Sequence, residues 1–261
     1  MERAVFISRT SDLSCCDDFS RLYFGNEFCQ QLIPSVSEME QVLDFVSTND
    51  LDFTFVTPYV TDEGLKRLEV LLEMVQKMPG SEVVFNDYGV LRVLVKRYGD
   101  LEPVMGRLLN KIKRGPRLMR VIDKLPESSV EYFRSSNLTV PALRQFLSSN
   151  GIGRVELDNV LQGSDLLLDG LEASLYVPFA YVTTTRLCLV NSCDVPGREE
   201  MIGIFACNKE CQKYTFYLRN PVMPVTLIRK GNTIFFRNDV LPDDIEEKGI
   251  TRLVVQPGIP M

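Results

Sequence analysis

Asp52-Phe53-Thr54-Phe55-Val56, then Thr61-Asp62-Glu63-Gly64, then Pro79-Gly80, then Glu82-Val83-Val84-Phe85: the order of these four pieces decides the fold. The first and last are short runs rich in aromatic and β-branched residues, as strands are. Between them, Thr61 opens a helix that carries Leu65, Leu68, Leu71, Leu72 and Val75 at helical spacing, and Pro79-Gly80 stops it. Two strands joined through a full helix pair in parallel, because the crossover returns the chain to the same edge.

Working outward, the same unit recurs. Leu22-Tyr23-Phe24-Gly25-Asn26-Glu27-Phe28 reads as a short strand ending near Cys29. Ser37, with Glu40 three residues on, opens a helix carrying Val42, Leu43, Phe45 and Val46. Tyr88 to Tyr98 reads as a helix with Leu91, Leu94 and Val95 inward, and Val104 to Leu109 as a fourth strand. Pro141 to Ser149 is a helix closed by Asn150-Gly151, and Arg154 to Leu157 and Leu175 to Pro178 are strands five and six. The last third, Tyr214 to Val255, is strand-rich, with a hairpin turning at Lys230-Gly231-Asn232. No linker or internal repeat interrupts the chain, so residues 1–261 read as one domain. The expected fold is α/β: an abbreviated or distorted TIM-like (β/α) barrel with a strand-rich C-terminal part, since the chain is short for eight full βα units.

Composition bounds the chemistry. Hydrophobic residues are 45% and charged residues 25% of 261, an ordinary globular balance. No apolar run approaches the ~20 residues of a membrane helix, and residues 1–7 lack the pattern of a signal peptide, so a cytoplasmic protein is expected. There is no histidine, which excludes Ser-His-Asp and Cys-His catalysis and His-ligated zinc. A net charge of −6 argues against a broad nucleic-acid footprint. Gly25, Gly64 and Gly89 form no nucleotide-binding fingerprint. Seven cysteines in a reducing compartment point to metal or redox work rather than to a disulfide framework.

Cys207 and Cys211 stand four apart, with Cys188 and Cys193 just upstream, and Cys29 lies at the end of the first predicted strand, on the face where barrel sites form. Convergence of four such thiolates fits a zinc ion or an iron–sulfur cluster, and one close pair plus remote single cysteines leans toward the cluster. Cys15-Cys16 has poor geometry for one ion and reads as non-ligand thiols. A second candidate set is the polar residues at predicted strand ends: Glu27, Thr57, Asn86, Asp87, Asn110, Lys111, Asp158 and Asn159. In a barrel this ring faces a substrate; Asn and Asp also follow strands simply because they make turns. Arg107, Lys111, Lys113, Arg114, Arg117 and Arg120 form a run without an acid among them, suited to phosphate, another anion or RNA, or to a solvated or partner-facing loop.

Several stretches together resemble the peptidase U-32 (collagenase-like) family, in particular its short members similar to the ubiquinone-biosynthesis proteins UbiU and UbiV. They are Leu22 to Cys29, Val83-Val84-Phe85-Asn86-Asp87-Tyr88-Gly89-Val90-Leu91, Gly106-Arg107-Leu108-Leu109-Asn110-Lys111, Pro178-Phe179-Ala180-Tyr181 leading to Arg186 and Cys188, and the Cys207/Cys211 pair. The resemblance implies an α/β barrel, a 4Fe-4S cluster on Cys29, Cys188, Cys207 and Cys211, and a role as subunit or accessory factor in an oxygen-independent modification such as hydroxylation. It also implies electron transfer, a protein partner such as a related chain in a heterodimer, and a small-molecule or RNA substrate, for which Asn86, Asp87, Asn110 and Lys111 are the candidate contacts. The chain departs from the pattern in the spacing before Cys188, where Cys193 is a rival ligand, and in the stretch 194–205. The family's peptidase label finds no nucleophile–base pair or metalloprotease motif here. The non-enzymatic alternative is a scaffold or partner subunit with a structural four-cysteine metal site, zinc included.

Overall fold

The computed structural model describes residues 1–16, 18–166, 168–198, 205–243 and 245–261. In chain order, the elements are β1 (Glu2–Ile7), β2 (Arg21–Gly25), α1 (Val36–Thr48), β3 (Asp52–Val56), α2 (Asp62–Val75), β4 (Glu82–Phe85), α3 (Tyr88–Arg97), β5 (Glu102–Met105), α4 (Glu127–Arg134), α5 (Pro141–Ser149), β6 (Arg154–Asp158), β7 (Glu172–Val177), β8 (Phe179–Thr184), β9 (Phe216–Leu218), β10 (Leu227–Lys230), β11 (Thr233–Arg237) and β12 (Ile250–Val255). Eight of the strands close a barrel in the order β1-β12-β7-β6-β5-β4-β3-β2, every neighbouring pair parallel. The remaining four form an antiparallel sheet, β8-β11-β10-β9, inserted between the seventh and eighth barrel strands.

The protein is therefore a TIM-like α/β barrel, as the 52–85 unit implied. Its strands are complete and its helices are what is abbreviated. The β1–β2 connection carries only a short 3₁₀ turn, Thr10–Cys15. The strand-rich C-terminal part is the inserted sheet plus β12. The first barrel strand, Glu2–Ile7, has no counterpart among the strands expected from sequence. Its apolar run is only Ala4 to Ile7, and the inward Glu2 breaks the pattern by joining an internal ion network. The expected fourth strand shortens to Glu102–Met105, because Gly106 begins a turn.

Alternation sorts the strand side chains. Ala4, Phe6, Tyr23, Val56, Val84, Val104, Tyr176 and Val254 fill the barrel interior. Their neighbours, among them Leu22, Phe24, Phe55, Val83, Phe85 and Leu175, face outward into the larger core beneath the helices. That core takes Met39, Val42 and Val46 from α1, Leu68, Leu71, Leu72 and Val75 from α2, and Val90, Leu91 and Leu94 from α3. Helix α1 starts two residues earlier than its sequence signature suggested. Ser35 and Glu38 form the capping box: the Glu38 amide donates to Ser35 Oγ at 3.3 Å, and Glu38 Oε2 accepts from the Ser35 amide at 2.8 Å. Thr61 caps α2 as expected.

At the N-terminal end of the barrel, Arg252 makes a two-pronged bond to Glu82 (2.6 and 2.9 Å) and another to Glu2 (2.6 Å), which Arg21 also reaches at 2.6 Å. At the C-terminal end, the inserted sheet lies across the mouth. Phe179, Tyr181, Ile228 and Phe235 of this sheet pack on Phe28, Leu108 and Met261.

Candidate functional site

The segment after β2 is shaped by its backbone. Gly25 has φ +134°, and a side chain there would run into the Val56 carbonyl. Asn26 then folds the chain over: its Oδ1 accepts from the amides of Phe28 and Cys29, both at 2.9 Å. Phe28 is fully buried, edge-on to Phe235 with ring centroids 5.2 Å apart. Asn232, in the turn between β10 and β11, donates to the Phe28 carbonyl at 2.7 Å. Cys29 is thereby fixed against the inserted sheet.

The other thiols come from two turns tied to each other. Glu210 is 2% exposed, and its Oε1 accepts from the Ser192 amide at 2.9 Å. Asn191 Nδ2 donates to the Phe205 carbonyl at 2.8 Å. Cys211 sits against Gly231, where a Cβ would stand 3.1 Å from the Cys211 Cβ. The result is one cavity of about 420 Å³ walled by Cys29, Cys188, Cys207 and Cys211, with Arg186 and Asn232 beside them. Cys193 does not line this cavity; its charged neighbours are Asp194, Glu210 and Cys188. Cys15 and Cys16 lie elsewhere, Cys16 within the core beneath the helices. Cys188 follows β8 of the inserted sheet rather than the barrel strand β7 directly. Within 194–205, residues 199–204 lie outside the described residues.

Burial pushes the Cys29 thiol up to about 11, and the neighbouring Cys211, Cys207 and Cys188 sulfurs push in the same direction. Burial also raises Cys188 and Cys211, and each of these feels Cys207. Thiols held protonated by burial, as Cys29, Cys188 and Cys211 are, fit the donor set of a metal centre, because a bound cation reverses the penalty and releases the protons. Among the described residues, no three His, Cys, Asp or Glu side chains are grouped as ligands of a single ion.

The barrel mouth holds a different arrangement. Arg107 and Glu27 are both fully buried and meet at 2.6 Å. The same guanidinium donates to Asp158 Oδ1 and to the Phe179 carbonyl, each at 2.9 Å, and lies 4.2 Å above the Tyr176 ring. Arg114 Nε completes the set on Asp158 Oδ2 at 2.7 Å. Two arginines thus face two carboxylates beneath the inserted sheet. Desolvation raises the Glu27 carboxyl, and Arg107 opposes that rise. This corrects the reading of the 107–120 run as one basic surface: Arg107 and Arg114 are internal, while Lys111, Lys113, Arg117 and Arg120 are exposed. A run without acids conceals its partners when these come from β6 and the β2 loop.

The predicted strand-end ring divides in the same way. Thr57 Oγ1 donates to the Val84 carbonyl at 2.8 Å, and Asn159 Nδ2 to the Val240 carbonyl at 2.8 Å. Asn86 bridges the Thr57 carbonyl (2.9 Å) and the Leu108 amide (3.1 Å). Asp87 caps α3, accepting from the Gly89 amide at 2.6 Å. Asn110 is buried, and its Oδ1 has no partner among the described residues. Lys111 Nζ donates to the Leu108 carbonyl at 2.6 Å. Of the four candidate substrate contacts, Asn86 and Lys111 line one cavity of about 570 Å³, and Asp87 and Asn110 do not.

Comparison with known proteins adds little beyond this. No family model matches the chain, and no curated protein matches it. Among solved structures it is similar to the U32 peptidase Mk0906, at 14% identity over 100% of this chain and 94% of the other, with a TM-score of 0.48. It is also similar to human YKL-39, a pseudo-chitinase that retains chitooligosaccharide binding (9% identity, 97% and 91% covered, TM-score 0.40). A third is a class V chitinase mutant from Cycas revoluta (11% identity, 98% and 94% covered, TM-score 0.28). At these values none of them assigns a family or an activity, and the barrel stands on its own strand order.

No helix among the described residues is long and apolar enough to cross a membrane. What the site offers chemically is a shared thiol cavity at the edge of a mouth closed by ion pairs. The mouth carboxylates Glu27 and Asp158 are held by arginines, so neither is free to act as a general base.

Proposed function

We propose that this chain is an iron–sulfur protein that holds a 4Fe-4S cluster on Cys29, Cys188, Cys207 and Cys211. The single observation that carries the reading is that four cysteines, spread over residues 29 to 211, wall one cavity. A cavity of about 420 Å³ has room for a multi-iron cluster, and four cysteine thiolates are the ligand set such a cluster takes. Bound there, a cluster would supply one-electron transfer at a potential set by burial and nearby hydrogen bonds. The chain's own part is to present the four sulfurs and to limit solvent with Phe205, Leu187 and Met261. It also places the cations Arg186 and, through its charge on Cys211, Lys230 near the thiolates.

The role in an oxygen-independent modification such as hydroxylation, as subunit or accessory factor beside a protein partner, rests on the motif resemblance to the U-32 family. A related chain in a heterodimer is the partner it suggests, and a small molecule or RNA the substrate. One observation favours a second reading. The Cys188 and Cys207–Cys211 segments are turns with little regular structure, so a metal here would also serve as their staple. A structural four-cysteine site, zinc included, on a scaffold subunit is that alternative. Anaerobic purification decides between them. About four irons and four sulfides per chain, with broad absorption in the visible, are expected; colourless protein carrying one zinc would replace the first reading with the second.

A further inference from the structure

The 570 Å³ cavity has no cysteine in its lining and lies between the 108–115 loop and the β8 edge of the inserted sheet. Its cations are Lys111, Lys113 and Arg114, and none of its lining residues is acidic. For a chain of net charge −6, an acid-free concave surface with three cations is a local reversal of sign. Arg114 is already matched by Asp158. Lys111 and Lys113 form no ion pair among the described residues. Burial and the nearby Arg114 charge both hold the Lys111 ammonium below its ordinary value.

The loop that carries the two lysines is built rather than loose. Arg114 Nη2 donates to the Arg107 and Asn110 carbonyls at 2.8 and 2.6 Å, so the loop wraps a buried guanidinium. The Lys111 amide donates to Asn137 Oδ1 at 2.7 Å, and Gln162 Nε2 donates to the Lys113 carbonyl at 2.5 Å. The facing wall supplies the exposed Thr183, and Tyr59, Ile112 and Val182 give it an apolar side. Two ammonium groups without an ion-pair partner among the described residues, that of Lys111 held on the Leu108 carbonyl at 2.6 Å, stand on a fixed loop and suit a dianion better than a single carboxylate, and lysine is a common phosphate ligand.

We propose that this cavity binds a phosphate monoester, its phosphate on the ammonium groups of Lys111 and Lys113 and its apolar part against Tyr59, Ile112 and Val182. The site needs no metal. Tyr59 sets it next to the thiol cavity, since its hydroxyl accepts from Asn232 at 3.0 Å and Asn232 lines that cavity.

Calorimetric titration of the chelator-stripped full chain with phenyl phosphate, inorganic phosphate and benzoate tests this. Phenyl phosphate should bind at one site, at least tenfold more tightly than either other probe and less tightly as salt rises. Lys111→Met with Lys113→Met should weaken it at least tenfold at unchanged Tm. Lys66→Met with Lys77→Met, on and after α2, should bind as the native chain does. Absence of saturable phenyl phosphate binding, equal binding of benzoate, or full binding by the Lys111/Lys113 double variant would overturn the proposal. Because the measurement is made without metal, its outcome is separate from the fate of the thiol centre.

Discussion

Two positions, the buried Arg107 and the half-buried Cys188, show how single residues carry this molecule. Arg107 is the ion-pair partner of Glu27 among the described residues, and it also spans to Asp158. Arg107→Met removes the charge while keeping much of the volume, and leaves Glu27 buried without its partner. Urea unfolding should show a loss of about 3–5 kcal/mol, the usual result of removing one side of a buried pair. A loss below about 1 kcal/mol would mean that the mouth ion pairs are incidental. At the thiol cavity, Cys188→Ala should abolish metal retention and Cys193→Ala should keep it, since only Cys188 lines the wall. Iron and sulfide assays on the two variants check this, and the reverse pattern would reassign the ligand. The sequence left Cys188 and Cys193 as rivals, because five residues of turn can point either sulfur inward. What separates them is the hydrogen bond that the Ser192 amide donates to Glu210 Oε1, which fixes the turn.

At the scale of elements, the turn between β5 and the lysine loop depends on Gly106. A Cβ at that position would collide with the Asn86 side chain, which joins the Thr57 carbonyl to the Leu108 amide. Gly106→Ala must push Asn86 out of this bridge, with an expected loss of about 1–3 kcal/mol. Thermal unfolding measures it, and a variant as stable as the native chain would show that Asn86 moves aside freely. The elements that were legible from sequence are those with strong period: β3, α2, β4, α3 and α5 fall where the apolar spacing and the caps put them, although Val95 of α3, expected inward, is exposed and Val90 takes the inward place beside Leu91 and Leu94. The first barrel strand was not legible because it carries charge inside: Glu2 of β1 points into the barrel, where it meets Arg21 of β2, a pairing that alternation rules read as surface.

For the whole molecule, the barrel interior is an electrostatic as well as an apolar core. Burial pushes the Glu156 carboxyl up to about 8 from 4.5, with Glu82 adding to the rise and Arg252 and Arg154 opposing it. Tyr23 Oη donates to Glu156 Oε1 at 3.1 Å, while Oε2 has no partner among the described residues. Between about 4.5 and 8 the native chain keeps a proton that the unfolded chain has released, so this residue lowers stability as pH rises through that window. Glu156→Gln removes the slope. Its stability relative to the native chain should grow by up to about 1.4 kcal/mol per pH unit across the window, and change little below it. Parallel stability–pH curves for the two proteins would show that Glu156 is ionised in the fold. Glu2 and Glu82, held low by Arg21 and Arg252 despite burial, act in the opposite sense and lose their contribution as pH falls toward 4.5 and below.

The amino-acid order alone determined the parallel βα rhythm, the placing of several helices by their caps, the lack of histidine chemistry and the cysteines eligible to meet. These are local properties, written in spacing and residue type. Only the folded chain decided that an inserted sheet closes the mouth, that Arg107 and Arg114 turn inward to Glu27 and Asp158, and that Cys29, Cys188, Cys207 and Cys211 share one wall. Each of these joins residues tens to hundreds of positions apart. Whether a charge is paired or a thiol has neighbours depends on such distant segments, and no local pattern encodes it.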